Sequence, residues 1–122
     1  MLKLKRIRIS DDFEKMLKIH FNNNYEVGGV IFAKRNLFNI YLETLSFKKG
    51  FPISISFIMG TWHTHPFQEK VQASNIDFYQ WKKWNKKYIH LIFNGKEIKI
   101  YTSKGEVIYD AKIKKDINKN TI

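Results

Sequence analysis

An α/β or α+β domain built on one central sheet is the fold class this sequence predicts, and three observations predict it. Segments with period-two apolar alternation recur along most of the chain. Two other segments carry apolar residues at helical spacing, each behind a serine able to cap it. No repeat, low-complexity linker or composition break divides the 122 residues, which are 43% apolar and 16% aromatic, so a single core is expected.

The elements follow in order. Residues 2–9 alternate basic and apolar side chains, as in an edge strand guarded by Lys and Arg. Ser10 caps a first helix with Asp11, Asp12 and Glu14 in its first turn and Phe13, Met16 and Leu17 on one face; Asn22-Asn23-Asn24 ends it. Glu26 to Lys34 and Leu37 to Phe47 form a hairpin about Lys34-Arg35-Asn36. After a loop at Lys48 to Pro52, Ile53 to His65 is a strand, and Ser74 to Lys87 is a second helix whose stripe of Asp77, Trp81, Trp84 and Tyr88 faces the sheet. Tyr88 to Phe93, Glu97 to Ser103 and Val107 to Ile113 make a meander turning at Asn94-Gly95 and Lys104-Gly105. Residues 1–113 are then the domain, and 114–122 a frayed basic tail.

Composition narrows the function. Without cysteine there is no disulfide framework, thiolate nucleophile, Cys-based zinc finger or iron–sulfur cluster, so any metal must sit on His, Asp or Glu. The formal charge of +11 favours acidic partners. It comes from 19 Lys and only 3 Arg, which weighs against a surface selected for phosphate recognition. No stretch has the continuous apolar run of a signal peptide or a membrane span, so a soluble cytoplasmic protein is expected.

The chemistry concentrates in Gly60-Thr61-Trp62-His63-Thr64-His65-Pro66 and in Ser74 and Asp77. Residues two apart on a strand share a face, so His63 and His65 can close on one ion; Pro66 ends the pairing and opens a mouth there. Asp77, at the start of a helix, offers an oxygen ligand, and three protein ligands leave a position for water, as in catalytic zinc sites. Glu26 is the candidate base: a carboxylate leading into Val27-Gly28-Gly29 is oddly placed unless it is aimed at something. Ser74 either donates to an oxyanion or simply caps its helix. Each residue also has a plain reading: surface histidines, a helix-start carboxylate eased by the macrodipole, a strand-edge charge. His20 and His90 read as packing or surface residues. Trp62 reads as core, or as a wall of the cleft.

At these positions the chain resembles the JAMM family of zinc metalloproteases, also called JAB or MPN-plus. The family pattern is a Glu before a glycine-containing apolar strand, then His-Ser/Thr-His-Pro, then Ser-x-x-Asp. Here these read Glu26 to Phe32, His63-Thr64-His65-Pro66 and Ser74-Asn75-Ile76-Asp77. Gly-Thr-Trp-His-Thr-His-Pro is similar to bacterial members found with ubiquitin-activating-like enzymes. Two positions depart from the pattern: eight residues, Pro66 to Ala73, replace the usual seven, and Ala33 stands where Gly is common.

The resemblance implies a single α/β domain with a curved mixed β-sheet flanked by two helices. It also implies one Zn2+ on His63, His65 and Asp77, with Glu26 and Ser74 catalytic. The implied reaction is peptide or isopeptide hydrolysis after the tail of a ubiquitin-like protein. An activating-enzyme-like protein is a further expected partner; a membrane is not, and nucleic acid is disfavoured despite the basic surface. The competing readings are a non-catalytic MPN-like module, a basic nucleic-acid-binding module, and a JAMM peptidase acting on cell-wall or phage-tail peptides.

Overall fold

The computed structural model describes residues 6–35, 39–45, 57–84 and 86–113. The described elements run β1 (Arg6–Ile9), α1 (Asp11–His20), β2 (Gly28–Arg35), β3 (Asn39–Leu45), β4 (Phe57–Thr64), α2 (Asn75–Trp81), β5 (Ile89–Phe93), β6 (Glu97–Thr102) and β7 (Val107–Lys112), in the order the sequence predicts. Residues 2–5 of the first expected strand, the loop at Lys48 to Pro52, the start of the strand expected from Ile53 and the tail at 114–122 lie outside the described residues.

All seven strands join one mixed sheet in the order β1-β3-β2-β4-β5-β6-β7. The expected hairpin of β2 with β3 and the meander of β5, β6 and β7 are antiparallel. Two pairs, β1 with β3 and β4 with β5, are parallel. Parallel neighbours need a crossover connection, and α2 lies within the one between β4 and β5. Register slips in β2 and β6 mark bulges, which locally bend and twist a strand.

Each sheet face has its own cluster of apolar side chains. Ser10 caps α1 by accepting from the Phe13 N–H at 3.1 Å. The helix lays the fully buried Phe13 and Leu17 against Ile31, Leu42, Leu91 and Phe93. On the other face Trp81 and Phe78 of α2 pack with Val71, Ala73, Ile92 and Tyr101. Strand β5 is buried at all five positions because alternate residues serve the two clusters.

His90, also on β5, is sealed under Trp81, whose ring stacks on it at 4.8 Å and 8°. Ser103 donates to the Tyr88 carbonyl, so its oxygen accepts from His90 Nε2, while Thr61 donates to His90 Nδ1, both at 2.8 Å. Burial first, and then the charge of His63, lowers its pKa to about 4, so it packs as a neutral ring.

The second helix is shorter than its apolar spacing implies. It ends at Trp81, and Lys83 and Trp84 continue only by bonds to carbonyls three residues back. A continued helix would set Lys82 against Lys86 and Lys83 against Lys87, repulsive pairs at the i,i+4 spacing. Trp84 is therefore 41% exposed and touches Tyr88, where the stripe places both against the sheet.

Two glycines mark close approaches. A Cβ on Gly60 would stand 1.7 Å from the carbonyl oxygen of Ile89, its partner across the β4–β5 pairing. Gly60→Ala is expected to force the central strands apart and to cost at least ~2 kcal/mol, as overpacking of a tight interior does. Urea unfolding checks it, and an unchanged midpoint would contradict this packing. A Cβ on Gly28 would lie 2.6 Å from the Trp62 oxygen and 2.9 Å from His63 Cβ, so bare backbone there lets β2 close on β4 beside His63.

Candidate metal centre

The site is assembled by register. In the antiparallel pairing of β2 with β4, Gly28 stands opposite His63. The ladder continues one residue further: Thr64 N–H donates to the Val27 carbonyl at 2.9 Å and Val27 N–H to Thr64 Oγ1 at 3.0 Å. This extension brings Glu26 level with His65. Glu26 itself is exposed and precedes the first residue of β2, where the sequence places it inside the strand. Glu26, His63 and His65 present ligand atoms that all lie within 4.8 Å of one another, a group able to hold a metal ion.

Period two puts both histidines on one face, with their Nε2 atoms 3.0 Å apart. Trp62, between Thr61 and His63, points to the other face and is 1% exposed in the core. It does not wall the cleft; alternation on the strand that presents His63 to the mouth sends Trp62 inward.

Asp77 reaches the pair from α2, Oδ1 3.2 Å from His63 Nε2 and Oδ2 3.4 Å from His65 Nε2. Ser74 and Asp77 form a capping box: the Asp77 N–H donates to Ser74 Oγ at 3.1 Å and the Ser74 N–H to Asp77 Oδ2 at 2.9 Å. Ser74 thus caps the helix, and its side chain also hydrogen-bonds the Asp77 carboxylate. Burial alone would raise the Asp77 pKa. The hydrogen bond from His63, the Ser74 bonds and the His63 charge outweigh burial and lower it to about 2, keeping an anion in the site at neutral pH.

Gln68 fixes which nitrogen of His65 is the donor on its side. Its Oε1 accepts from the Gln72 N–H at 3.1 Å and its Nε2 donates to the Gln72 carbonyl at 3.2 Å, so the amide cannot be reversed. The His65 Nδ1 lying 2.9 Å from that Oε1 must be the donor, which leaves Nε2 of the neutral ring as a lone pair facing His63 and Asp77. Sequence reading misses Gln68, since three residues past a histidine in an unpatterned loop nothing distinguishes it. The one usable signal is chemical: a ligating imidazole needs a polar partner on its other nitrogen.

The loop from Pro66 to Ala73, one residue longer than the resemblance implies, leaves Asp77 against both histidines. Asn94 Nδ2 donates to the carbonyls of Gln68 and Glu69 at 3.0 and 3.1 Å, and the Tyr101 hydroxyl accepts from the Ala73 N–H at 3.1 Å. These bonds secure the loop at both ends.

The donor set fits a metal. Metal–ligand bonds of ~2.0–2.1 Å at tetrahedral angles set neighbouring donors ~3.3 Å apart. The two Nε2 atoms stand 3.0 Å apart, and the carboxylate meets them through different oxygens, Oδ1 at 3.2 Å from His63 and Oδ2 at 3.4 Å from His65, contacts near that spacing. Two imidazole nitrogens and an anion this close could share a metal ion, and without one they are joined by the hydrogen bond from His63 to Asp77. Beside them opens a cleft of about 330 Å3 whose polar lining includes Glu26, His65, Gln68, Ser74 and Asp77. Its apolar lining is Pro66, Phe67 and Ile76, the last two 77% and 69% exposed.

No family model matches the chain, and no curated protein does. Among solved structures it is similar to a JAB1/MPN domain protein from Archaeoglobus fulgidus, at 21% identity and a TM-score of 0.61, over 85% of this chain and 94% of that one. What the two share at that identity is the fold: a single small domain in which a mixed sheet carries two helices.

Proposed function

We propose that this chain is a zinc-dependent peptidase or isopeptidase that hydrolyses the bond following the C-terminal tail of a ubiquitin-like protein. The observation that carries the reading is the meeting of Glu26 with His63, His65 and Asp77 at the mouth of one cleft. Zinc suits two imidazoles and a carboxylate, and when bound there it supplies an acidified water and a polarised carbonyl. His63, His65 and Asp77 hold it, and Gln68 keeps the His65 lone pair turned inward. Glu26, too close to the histidines to be a bystander and too exposed to be a buried structural charge, takes the water proton and returns it to the leaving amine. Ser74, whose side chain hydrogen-bonds Asp77 in the resting site, turns its hydroxyl proton to the oxyanion.

The leaving amine is a lysine side chain or a peptide N-terminus. The substrate tail enters the cleft extended past Glu26, with small residues at the scissile bond so that its carbonyl can reach the site. On this reading an activating-enzyme-like protein is a second partner and the cytoplasm the place of action. No helix among the described residues is long and apolar enough to cross a membrane.

The test is release from a ubiquitin-like protein fused through its C-terminal Gly to a second protein, beside a matched fusion with that Gly changed to Leu. Cleavage of the first at least ~10-fold faster is expected, since one misfitting side chain in a tight site is worth ~1–3 kcal/mol. Equal rates would point instead to a general metallopeptidase, and no cleavage of either to a non-catalytic module.

A further inference from the structure

We propose that the outer face of α2 is a docking surface for the substrate's folded domain, recognising an apolar patch bordered by carboxylates. The proposal rests on the reading of the adjacent cleft as a peptidase site. Phe78 and Trp81 take the inner side of the helix. Offsets of three and seven residues align Ile76, Tyr79 and Lys83 on the opposite side, and Lys83 Nζ sits 4.7 Å over the Tyr79 ring. Ile76 and Tyr79 are 69% and 63% exposed, a large apolar surface for a helix otherwise polar on this side.

Two features choose the occupant. Ile76 belongs both to this strip and to the lining of the cleft, so whatever enters the cleft continues onto α2. Past Ile76 and Tyr79 the strip ends on Lys83, the chain beyond α2 adds the exposed Lys82 and Lys86, and the sequence has no carboxylate from residue 78 to residue 96. An apolar start and a basic end complement a protein surface of the opposite charge. A phosphate backbone would find no use for Ile76, and lysines in place of arginines do not favour it.

The test uses the full chain and a net-negative ubiquitin-like protein fused through its C-terminal Gly to a reporter. Replacing Tyr79 and Lys83 together (Tyr79→Ser, Lys83→Glu) is expected to raise KM for the fusion about tenfold while the far-ultraviolet spectrum and unfolding midpoint stay put. Salt should raise the wild-type KM more steeply than the variant's. The conservative pair Tyr79→Phe, Lys83→Arg should keep the wild-type KM. An unchanged KM in the Ser/Glu variant overturns the proposal. If the fusion is not cleaved at all, the peptidase reading fails, and a binding titration of the same fusion decides this one. Binding weakened tenfold by the Ser/Glu pair sustains the surface, and equal or absent binding overturns it. A 20-mer of single-stranded thymidylate bound more tightly than the fusion also overturns it, in favour of nucleic acid.

Discussion

Glu26→Gln is expected to retain its fold and its metal and to lose at least ~10²-fold in hydrolysis, the usual contribution of a positioned general base. The amide keeps the size and the exposed position of the carboxylate, so the β2–β4 ladder at Val27 and Thr64 is undisturbed. What it loses is the ability to accept a proton. Single-turnover cleavage of the glycine fusion, with metal content measured on the same sample, checks both halves. Activity within a few-fold of wild type would assign the base to another group. Loss of metal in parallel would make Glu26 a ligand, which its place in one cluster with the two histidines also permits.

Asp77→Asn should behave in the opposite way, with metal content and activity falling together by at least ~10-fold, because a neutral amide is a poor substitute for an anionic ligand. The substitution separates two roles. Asn at this position can still accept from the Ser74 N–H, so α2 should keep its cap. Elemental analysis of protein purified without a metal-affinity tag should find close to one zinc per wild-type chain, and far less in Asp77→Asn or in His63→Ala, His65→Ala. Full zinc in Asp77→Asn would remove Asp77 from the ligand set.

The order of elements was legible because strand alternation and capped helical spacing are local signals. The convergence of His63 on His65 was legible for the same reason, being a property of one strand. Asp77 was different: the residues offered it as an oxygen ligand at a helix start and the resemblance placed it in one set with the histidines, but its arrival beside them depends on how a loop closes. The bonds that close the loop, from Asn94 in the β5–β6 turn and Tyr101 in β6, come from 25 to 28 residues away and leave no trace in spacing. Gln68 was invisible for a related reason, since its role is fixed by Gln72 backbone atoms rather than by any pattern. Trp84 shows where periodicity overreaches: four lysines within six residues end the helix before the stripe does. Trp62 shows the reverse, a residue whose neighbours suggest function while the period-two rule already assigns it to the core.

The capping box at the start of α2 has a consequence for how readily the site takes up its ion. Because the Ser74 backbone amide grips the Asp77 carboxylate, that side chain surrenders its rotational freedom when the helix forms. His65, pinned through Gln68, is in the same condition. Immobilising a flexible side chain at a binding event ordinarily costs about 0.5–1.5 kcal/mol, and here folding has already absorbed that cost for two donors. Both donors are therefore preorganised, and an ion entering there would meet them already held by the fold, a saving that would appear as tighter binding.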